Sequence, residues 1–198
     1  DVLLLFNPLL IDYSGRNGAA ISFKEHVETG REHGVFLRGE DGNVKRFMHK
    51  QTVEALRLCG AVNEQDCVDI DTGAVIFSKE MLSALYGLIS REGKAQEELF
   101  RSLVNEKVRL SLYGDFLYPL ASDSTLEDFY KEKPEGDFCP ELLAAREKVW
   151  EALRPFDMKL LRLVPAKFIH FGTTAEILKL MSSGVKDYED LGWSRHVG

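Results

Sequence analysis

The sequence lacks the features that mark membrane, secreted and nucleic-acid-binding proteins. No apolar run approaches the roughly 18 residues of a transmembrane helix, and no signal peptide is visible. The three cysteines, Cys59, Cys67 and Cys139, have no metal-ligand spacing and are interpreted as reduced cytosolic thiols. Lysine and arginine number 25 against 32 acidic residues, without a basic run. We therefore expect a cytoplasmic protein with neither a membrane nor a nucleic-acid partner.

Familiar catalytic and phosphate-binding motifs are missing as well. The chain contains no P-loop, no GxGxxG, no zinc-ligand spacing and no Ser/His/Asp order. An acidic chain can still bind one nucleotide or sugar phosphate, because a local pocket can oppose the overall charge. The search for chemistry therefore turns to single residues and their places on strands.

Strand and helix patterns alternate at both ends of the 198-residue chain. They predict an α/β fold with a mixed, mostly parallel sheet flanked by helices. Residues 94–155 show helical spacing and are predicted to form a helical insertion, which leaves 1–93 and 156–181 as the α/β domain. The first strand, 1–6, is almost wholly apolar, as in strands buried on both faces. Because the chain opens inside this strand and its tail, 182–198, looks truncated, we expect a piece of a longer protein.

The stretch HGVFLRGEDGNVKRFMHK, residues 33–50, predicts a β-hairpin. Its turn, 40–43, is rich in residues that accept a positive φ. His33, Gly34 and Lys50 then lie near the open ends of a rigid ribbon. A glycine there lets a ligand approach the backbone, and a lysine can place a compact positive charge on a phosphate. The alternative is an ordinary surface hairpin with a solvated lysine.

Two acidic residues, Asp69 and Asp71, occur in the next predicted strand, CVDIDTGAVIF. Residues at i and i+2 of a strand share a face, so both carboxylates could hold sugar-like hydroxyls or a metal. Asp71 could equally bond its own turn at Thr72 and Gly73. Both interpretations stay open.

Two further candidates lie at strand ends. Asp1 precedes an apolar strand and could be half of a Mg²⁺ site, or a frayed chain end. His170 ends a predicted strand just before a helix N-terminus, which is a ready anion site, although a lone histidine can also be structural.

In their order along the chain these patterns resemble a known family. HGVFL, an acidic Gly turn and VKRFMHK are similar to the strand, turn and lysine-ended strand of sugar-1-phosphate nucleotidyltransferases. DIDTGAVIFS resembles the segment that follows it, and KFIHFGTTAEIL the segment that closes the catalytic domain. LYGDFLYPLASDSTLEDFY and HFGTTAEIL give the greatest likeness to the fucose-1-phosphate guanylyltransferase (GDP-fucose pyrophosphorylase) group. This group includes the pyrophosphorylase half of bifunctional enzymes that also carry L-fucokinase.

The resemblance implies part of a Rossmann-like nucleotidyltransferase domain. Its activity would transfer a guanylyl group from GTP to β-L-fucose 1-phosphate with Mg²⁺, giving GDP-L-fucose and pyrophosphate. By the same resemblance, Asp1 matches a Mg²⁺ ligand, Lys50 the lysine that contacts the sugar phosphate, and Gly34 the glycine under the sugar.

The resemblance also extends the substrate site. Asp69 and Asp71 occupy the sugar-hydroxyl segment, followed by Thr72 and Gly73. His170 stands where many relatives carry a second metal-binding aspartate. His33, beside Gly34, completes the predicted substrate-binding set.

The family's Gly-rich nucleotide loop, which precedes the first strand, has no counterpart in this chain. We therefore expect the piece alone neither to bind GTP tightly nor to turn over, and the rest of a parent chain is its expected partner. Two alternatives stay open. One is a guanylyl- or uridylyltransferase for another sugar 1-phosphate, and the other is a non-catalytic sugar-phosphate-binding module.

Overall fold

A computed structural model describes residues 2–12, 17–170 and 172–182 of the chain. The described strands are β1 (Val2–Phe6), β2 (Gly18–His26), β3 (Gly34–Arg38), β4 (Val44–His49), β5 (Cys67–Phe77), β6 (Ser90–Arg91), β7 (Lys94–Ala95), β8 (Lys159–Arg162) and β9 (Ala166–His170). The described α-helices are α1 (Val27–Gly30), α2 (Val53–Leu58), α3 (Lys79–Gly87), α4 (Glu97–Leu103), α5 (Leu126–Lys131), α6 (Pro140–Leu153) and α7 (Thr174–Ser182). A π-helical turn (Leu112–Phe116) and two 3₁₀ turns (Pro8–Leu10 and Tyr118–Leu120) complete the set.

The main sheet has five strands in the order β4-β3-β5-β2-β8. The predicted α/β class and mixed sheet are confirmed, but the expectation of mostly parallel strands is wrong. Only β2 and β8 pair in parallel among the described strands, and the other pairs are antiparallel. The connections explain this result, because a parallel neighbour needs a crossover of about a dozen residues. The link between β3 and β4 is a tight turn, and β5 lies between the parallel-running β2 and β3 and opposes both.

Strand β1 also differs from expectation. Among the described strands it pairs with β9 alone, in a separate two-stranded sheet, with Val2 opposite His170. Its side chains at Leu3, Leu4 and Leu5 are half-buried rather than enclosed on both faces.

The hairpin of β3 and β4 forms as predicted. Gly34 pairs with His49 and Val35 with Met48, and the turn contains Gly42 at a φ of 86°. Phe36 stacks obliquely on Phe47 at 5.1 Å between ring centroids. Because one face of the ribbon is buried, this register is strongly specified.

The sheet carries a hydrophobic cluster on each face. On one face α1 and α2 cover apolar residues from the sheet; this cluster contains Phe23, Val27, Val35, Met48, Leu56, Ala61, Val68 and Ile70. On the other face α3, α6 and the turns at 112–120 pack against the strands; this cluster contains Ala20, Phe36, Val44, Phe47, Met81, Leu117, Leu120, Ala121, Val149, Leu153, Met158 and Leu160. The helical stretch after β7 is therefore seated directly on the sheet.

A buried ion pair fixes part of this helical stretch. The Nε of Arg146 on α6 donates to Oδ1 of Asp115 at 2.8 Å, and both side chains are fully buried. Arg146 Nη1 also donates to the carbonyls of Phe129 and Glu132, while Asp115 Oδ2 accepts from the Ser111 amide at 2.7 Å. The π-helical turn, the end of α5 and α6 are thus joined at one point.

Candidate functional site

A bulge in β5 forms the centre of the candidate site. Between Ala20 and Ser22 of β2 lies one residue, whereas three residues separate their partners Asp71 and Val75 on β5. The extra length lets Gly73 adopt a φ of 77°, which side chains disfavour. Bulges of this kind are common beside active sites, where they redirect side chains.

Asp71 bonds its own turn at this bulge. Its Oδ1 accepts from the Gly73 amide at 2.8 Å, so the Asx arrangement considered from the sequence is confirmed. The other carboxylate oxygen, Oδ2, forms no hydrogen bond to any described residue. The single inaccessible unpaired side-chain N or O atom of the described residues is Nη2 of Arg146. Oδ2 of Asp71 therefore retains contact with the exterior and can accept a hydrogen bond from a ligand.

Burial makes the ionised form of Asp71 unfavourable. Asp71 is 6% exposed, and burial raises the pKa of its carboxyl to about 6 against the opposing effect of the Gly73 amide. A carboxylate without a cationic neighbour in an apolar surrounding is a common property of functional groups.

Gly34 packs directly against Asp71. A β-carbon placed on Gly34 would lie 2.8 Å from Cε2 of Phe47 and 3.2 Å from Cβ of Asp71. Any larger residue would collide with the Phe47 ring. Glycine therefore lets the β3 backbone and the Phe47 ring pack next to the acidic residue of β5, and its predicted place under a ligand stays a prediction.

Asp69, two residues earlier on β5, has a different environment. Nε and Nη2 of Arg162 donate to its two oxygens at 2.8 and 2.6 Å, and the ammonium of Lys24 lies 3.2 Å from Oδ2. Its oxygens thus already hold two cations. The predicted contact of Asp69 with sugar hydroxyls stays a prediction, but the observed partners give this carboxylate a structural role.

Thr72 is likewise engaged by the protein. Its buried hydroxyl donates to the carbonyl of Ile21 at 2.8 Å and accepts from the Ala74 amide at 3.3 Å. It ties the bulge to β2, and its predicted role in substrate binding is untested.

Lys50 lies at the end of β4 with a φ of 48°, in the left-handed region. Its amide donates to the carbonyl of His33 at 3.0 Å, which joins the two open ends of the hairpin. Within the described residues its ammonium has no ion-pair partner. Lys50 lines a cavity of about 430 Å³ together with Phe47, His49 and Glu135. Strained residues in open positions are frequent at functional sites.

A group of three aromatic rings connects Lys50 to Asp71. His49 stacks on Tyr113 at 5.9 Å between centroids, and Phe47 lies 6.4 Å from each of these rings. Burial lowers the pKa of His49, with a further contribution from Lys50, so the imidazole is neutral at pH 7.

Tyr113 reaches the bulge from the π-helical turn. A β-carbon on Gly73 would lie 3.2 Å from its hydroxyl oxygen. Burial raises the pKa of Tyr113, and the neighbouring Asp71 carboxylate raises it further. The phenol is therefore a neutral hydrogen-bond donor beside Asp71.

The predicted metal site is not represented in the described structure. Asp1 lies outside the described residues, and so does the side chain of His170, whose backbone ends β9. Within residues 2–12, 17–170 and 172–182 no group of three or more His, Cys, Asp or Glu side chains is arranged to hold a metal ion. The three cysteines are free thiols, as expected.

The structure thus brings together five of the predicted residues: His33, Gly34, Lys50, Asp71 and Gly73. It turns Asp69 and Thr72 toward partners within the protein and places the His170 backbone in the other sheet.

Three contributors were missed by the sequence reasoning: Tyr113, His49 and Arg162. Tyr113 and Arg162 meet β5 only through contacts distant in sequence, which spacing cannot reveal. His49 could have been found from its position between Phe47 and the candidate Lys50.

The class of protein follows from comparison with known families. The family model described as "Fucose pyrophosphorylase domain" matches residues 1–198. The chain belongs to this fucose pyrophosphorylase family, as its sequence patterns predicted.

Particular relatives are similar to the chain at low identity. It is 23% identical over 196 residues to fucose-1-phosphate guanylyltransferase of Mus musculus and 23% identical over 191 residues to that of Homo sapiens. Each comparison covers 87% of this chain but 32% of the relative, so the chain spans about a third of the length of these curated relatives. Among its described helices none has the length and apolar character needed to span a membrane.

Proposed function

We propose that this chain is the sugar-phosphate-binding part of a guanylyltransferase that makes GDP-L-fucose from GTP and β-L-fucose 1-phosphate. The observation that carries the proposal is the family match over residues 1–198, together with Gly34, Lys50 and Asp71 at one end of the sheet. The relatives' name, fucose-1-phosphate guanylyltransferase, supports the choice of nucleotide and sugar.

In this reaction an oxygen of the sugar phosphate attacks the α-phosphorus of GTP. A bond forms between that oxygen and phosphorus, the bond to the β-phosphate oxygen breaks, and pyrophosphate leaves. Little covalent work falls on the protein, so positioning and stabilisation of charge carry the catalysis.

Lys50 is proposed to hold the sugar phosphate. Lys50 lines a cavity of about 430 Å³, and its ammonium has no ion-pair partner among the described side chains. A compact cation there would neutralise phosphate charge and orient the attacking oxygen.

Asp71 and Gly34 are proposed to hold the sugar. Asp71 Oδ2 can accept from a sugar hydroxyl, and Gly34, which has no side chain, lets β3 and the Phe47 ring pack against Asp71. The carbonyl of His33 accepts a hydrogen bond from the Lys50 amide. This bond is proposed to fix the distance between the phosphate-binding lysine and the sugar-binding residues.

Mg²⁺ remains an expected cofactor of the parent enzyme. The described residues supply no cluster suited to it, and the predicted ligand Asp1 lies outside them. No step of the proposal is therefore derived through the metal. When bound, Mg²⁺ would neutralise charge on the transferring phosphoryl group.

Pyrophosphate release by the full-length parent tests the proposal. The assay uses GTP or UTP with β-L-fucose 1-phosphate, α-D-mannose 1-phosphate and α-D-glucose 1-phosphate. We expect the highest kcat/KM for GTP with the fucose substrate. Equal rates with all sugars would overturn the sugar assignment. Calorimetric binding of a sugar phosphate without any pyrophosphate release would instead identify a binding module.

A further inference from the structure

Two polar groups meet at the β5 bulge, and neither forms a hydrogen bond with a described residue. Oδ2 of Asp71 accepts no hydrogen bond within the described chain, and the hydroxyl of Tyr113 has no hydrogen-bond partner there either. Both lie beside Gly73, which donates to Asp71 Oδ1 at 2.8 Å and whose β-position is 3.2 Å from the Tyr113 oxygen. Neither atom is enclosed, because Nη2 of Arg146 is the single inaccessible unpaired side-chain N or O atom among the described residues, so a ligand can reach both groups.

The surroundings define what that partner is. Gly34 lets the Phe47 ring lie close to Asp71, and the rings of Phe47 and His49 stack beside Tyr113. A carboxylate accepts and a phenol donates, so one group that both donates and accepts would satisfy both. An alcohol has this property, whereas a phosphate oxygen would be repelled by Asp71.

We propose that Tyr113 and Asp71 bind the same hydroxyl group of the sugar, which makes Tyr113 a substrate-positioning residue contributed by the helical stretch. The hydroxyl donates to Asp71 Oδ2 and accepts from the phenol of Tyr113. This inference rests on the proposed function, because it takes the ligand to be a sugar 1-phosphate.

The same contact would select among sugars. A site whose two polar groups lose water when the ligand binds discriminates strongly against an analogue that lacks the matching hydroxyl, because both groups then remain unpaired. Tyr113 thus contributes to specificity as well as to affinity.

The test is calorimetric binding of β-L-fucose 1-phosphate and its 2-, 3- and 4-deoxy analogues to the parent protein and its variants. Tyr113→Phe removes only the phenolic oxygen. Asp71→Asn removes the charge and replaces the accepting Oδ2 with an NH₂ donor, while the remaining oxygen can still accept from the Gly73 amide. Tyr86→Phe is the matched control, because the Tyr86 hydroxyl donates to the Gly93 carbonyl at the small β6–β7 hairpin. Thermal unfolding of each variant establishes that the fold is retained.

We expect Tyr113→Phe and Asp71→Asn each to weaken binding of the fucose substrate by about tenfold or more, and Tyr86→Phe to leave it unchanged. One deoxy analogue should bind the unmodified protein as weakly as β-L-fucose 1-phosphate binds the two variants. The affinity of this analogue should not fall further in either variant. The other two analogues should remain sensitive to both substitutions.

Two results would have different meanings. If the unmodified protein binds no sugar 1-phosphate, the proposed function fails and the inference fails with it. If β-L-fucose 1-phosphate binds well but Tyr113→Phe has no effect, or the two substitutions respond to different hydroxyls, the shared-hydroxyl inference alone is overturned.

Discussion

Asp69 and Asp71 lie two residues apart on β5 and are both buried, yet they have opposite electrostatic environments. Asp69 is held by the guanidinium of Arg162 and the ammonium of Lys24, whereas Asp71 accepts one hydrogen bond from its own turn. Compensated charge is typical of structure, and uncompensated charge is typical of a site that awaits a ligand. This contrast allows the two carboxylates to be tested with the same chemical substitution.

Asp71→Asn should stabilise the fold at neutral pH. Its pKa of about 6 lies above the ordinary value of 3.8, so the penalty for the ionised form is complete above about pH 6 and absent below 3.8. Asparagine keeps an oxygen for the Gly73 amide. We expect urea unfolding at pH 8 to show a gain of up to about 3 kcal/mol that shrinks as the pH falls toward 4. A pH-independent gain would contradict this explanation.

Asp69→Asn should do the reverse. The substitution removes charge-assisted hydrogen bonds and leaves Arg162 and Lys24 beside a neutral amide. Since both cations are partly exposed, water reduces the loss, and we expect a destabilisation of about 2 kcal/mol. Urea unfolding at pH 8 measures it beside Asp71→Asn. If Asp69→Asn and Asp71→Asn both stabilised the fold, the proposed difference between the two carboxylate environments would be contradicted.

Lys50→Ala in the full-length parent should lower kcat/KM for the sugar 1-phosphate by about tenfold to a hundredfold. Loss of the ammonium removes the proposed phosphate contact, and pyrophosphate release measures the effect. Lys45→Ala is the matched control, because Lys45 is an exposed lysine of β4, the strand that leads into Lys50. An unchanged kcat/KM for Lys50→Ala would exclude Lys50 from the site.

Lys50→Gly separates strain from charge. The lysine has a φ of 48°, which glycine adopts freely. We expect this variant to lose activity as Lys50→Ala does but to be more stable than Lys50→Ala by about 1 kcal/mol in urea unfolding. Equal stabilities of Lys50→Gly and Lys50→Ala would indicate that the backbone at position 50 relaxes and stores no strain.

Arg146→Ala should destabilise the protein by about 3–5 kcal/mol. It would leave the fully buried carboxylate of Asp115 without its cationic partner and the carbonyls of Phe129 and Glu132 without the Arg146 donor. Guanidinium unfolding provides the measurement. Arg101→Ala is the control, since its ion pair with Glu97 is exposed and should matter little.

Local features were predictable from the sequence because they depend on neighbouring residues. Ser78 caps α3 by accepting from the Met81 amide at 3.1 Å, and the turn containing Gly42 sets the hairpin. Sheet direction was not predictable in this way. The position of β5 between β2 and β3 is determined by tertiary packing. The alternation of strand and helix patterns along the sequence does not reveal it.

The candidate site divides along the same line. Gly34 and Lys50 were identifiable because a hairpin brings its own ends together. Tyr113 lies 42 positions after Asp71, and Arg162 lies 93 positions after Asp69, so only the folded chain brings these pairs together. Carboxylates on one strand look equivalent until their distant partners are known.

The buried Arg146–Asp115 pair has a consequence for ligand affinity. Asp115 follows Tyr113 by two positions on the same π-helical turn, so the anchor of that turn also sets the place of the phenol. Damage to the anchor would therefore displace the turn that carries Tyr113. Under the proposed function, binding of the sugar phosphate would then depend on an ion pair that makes no contact with the ligand.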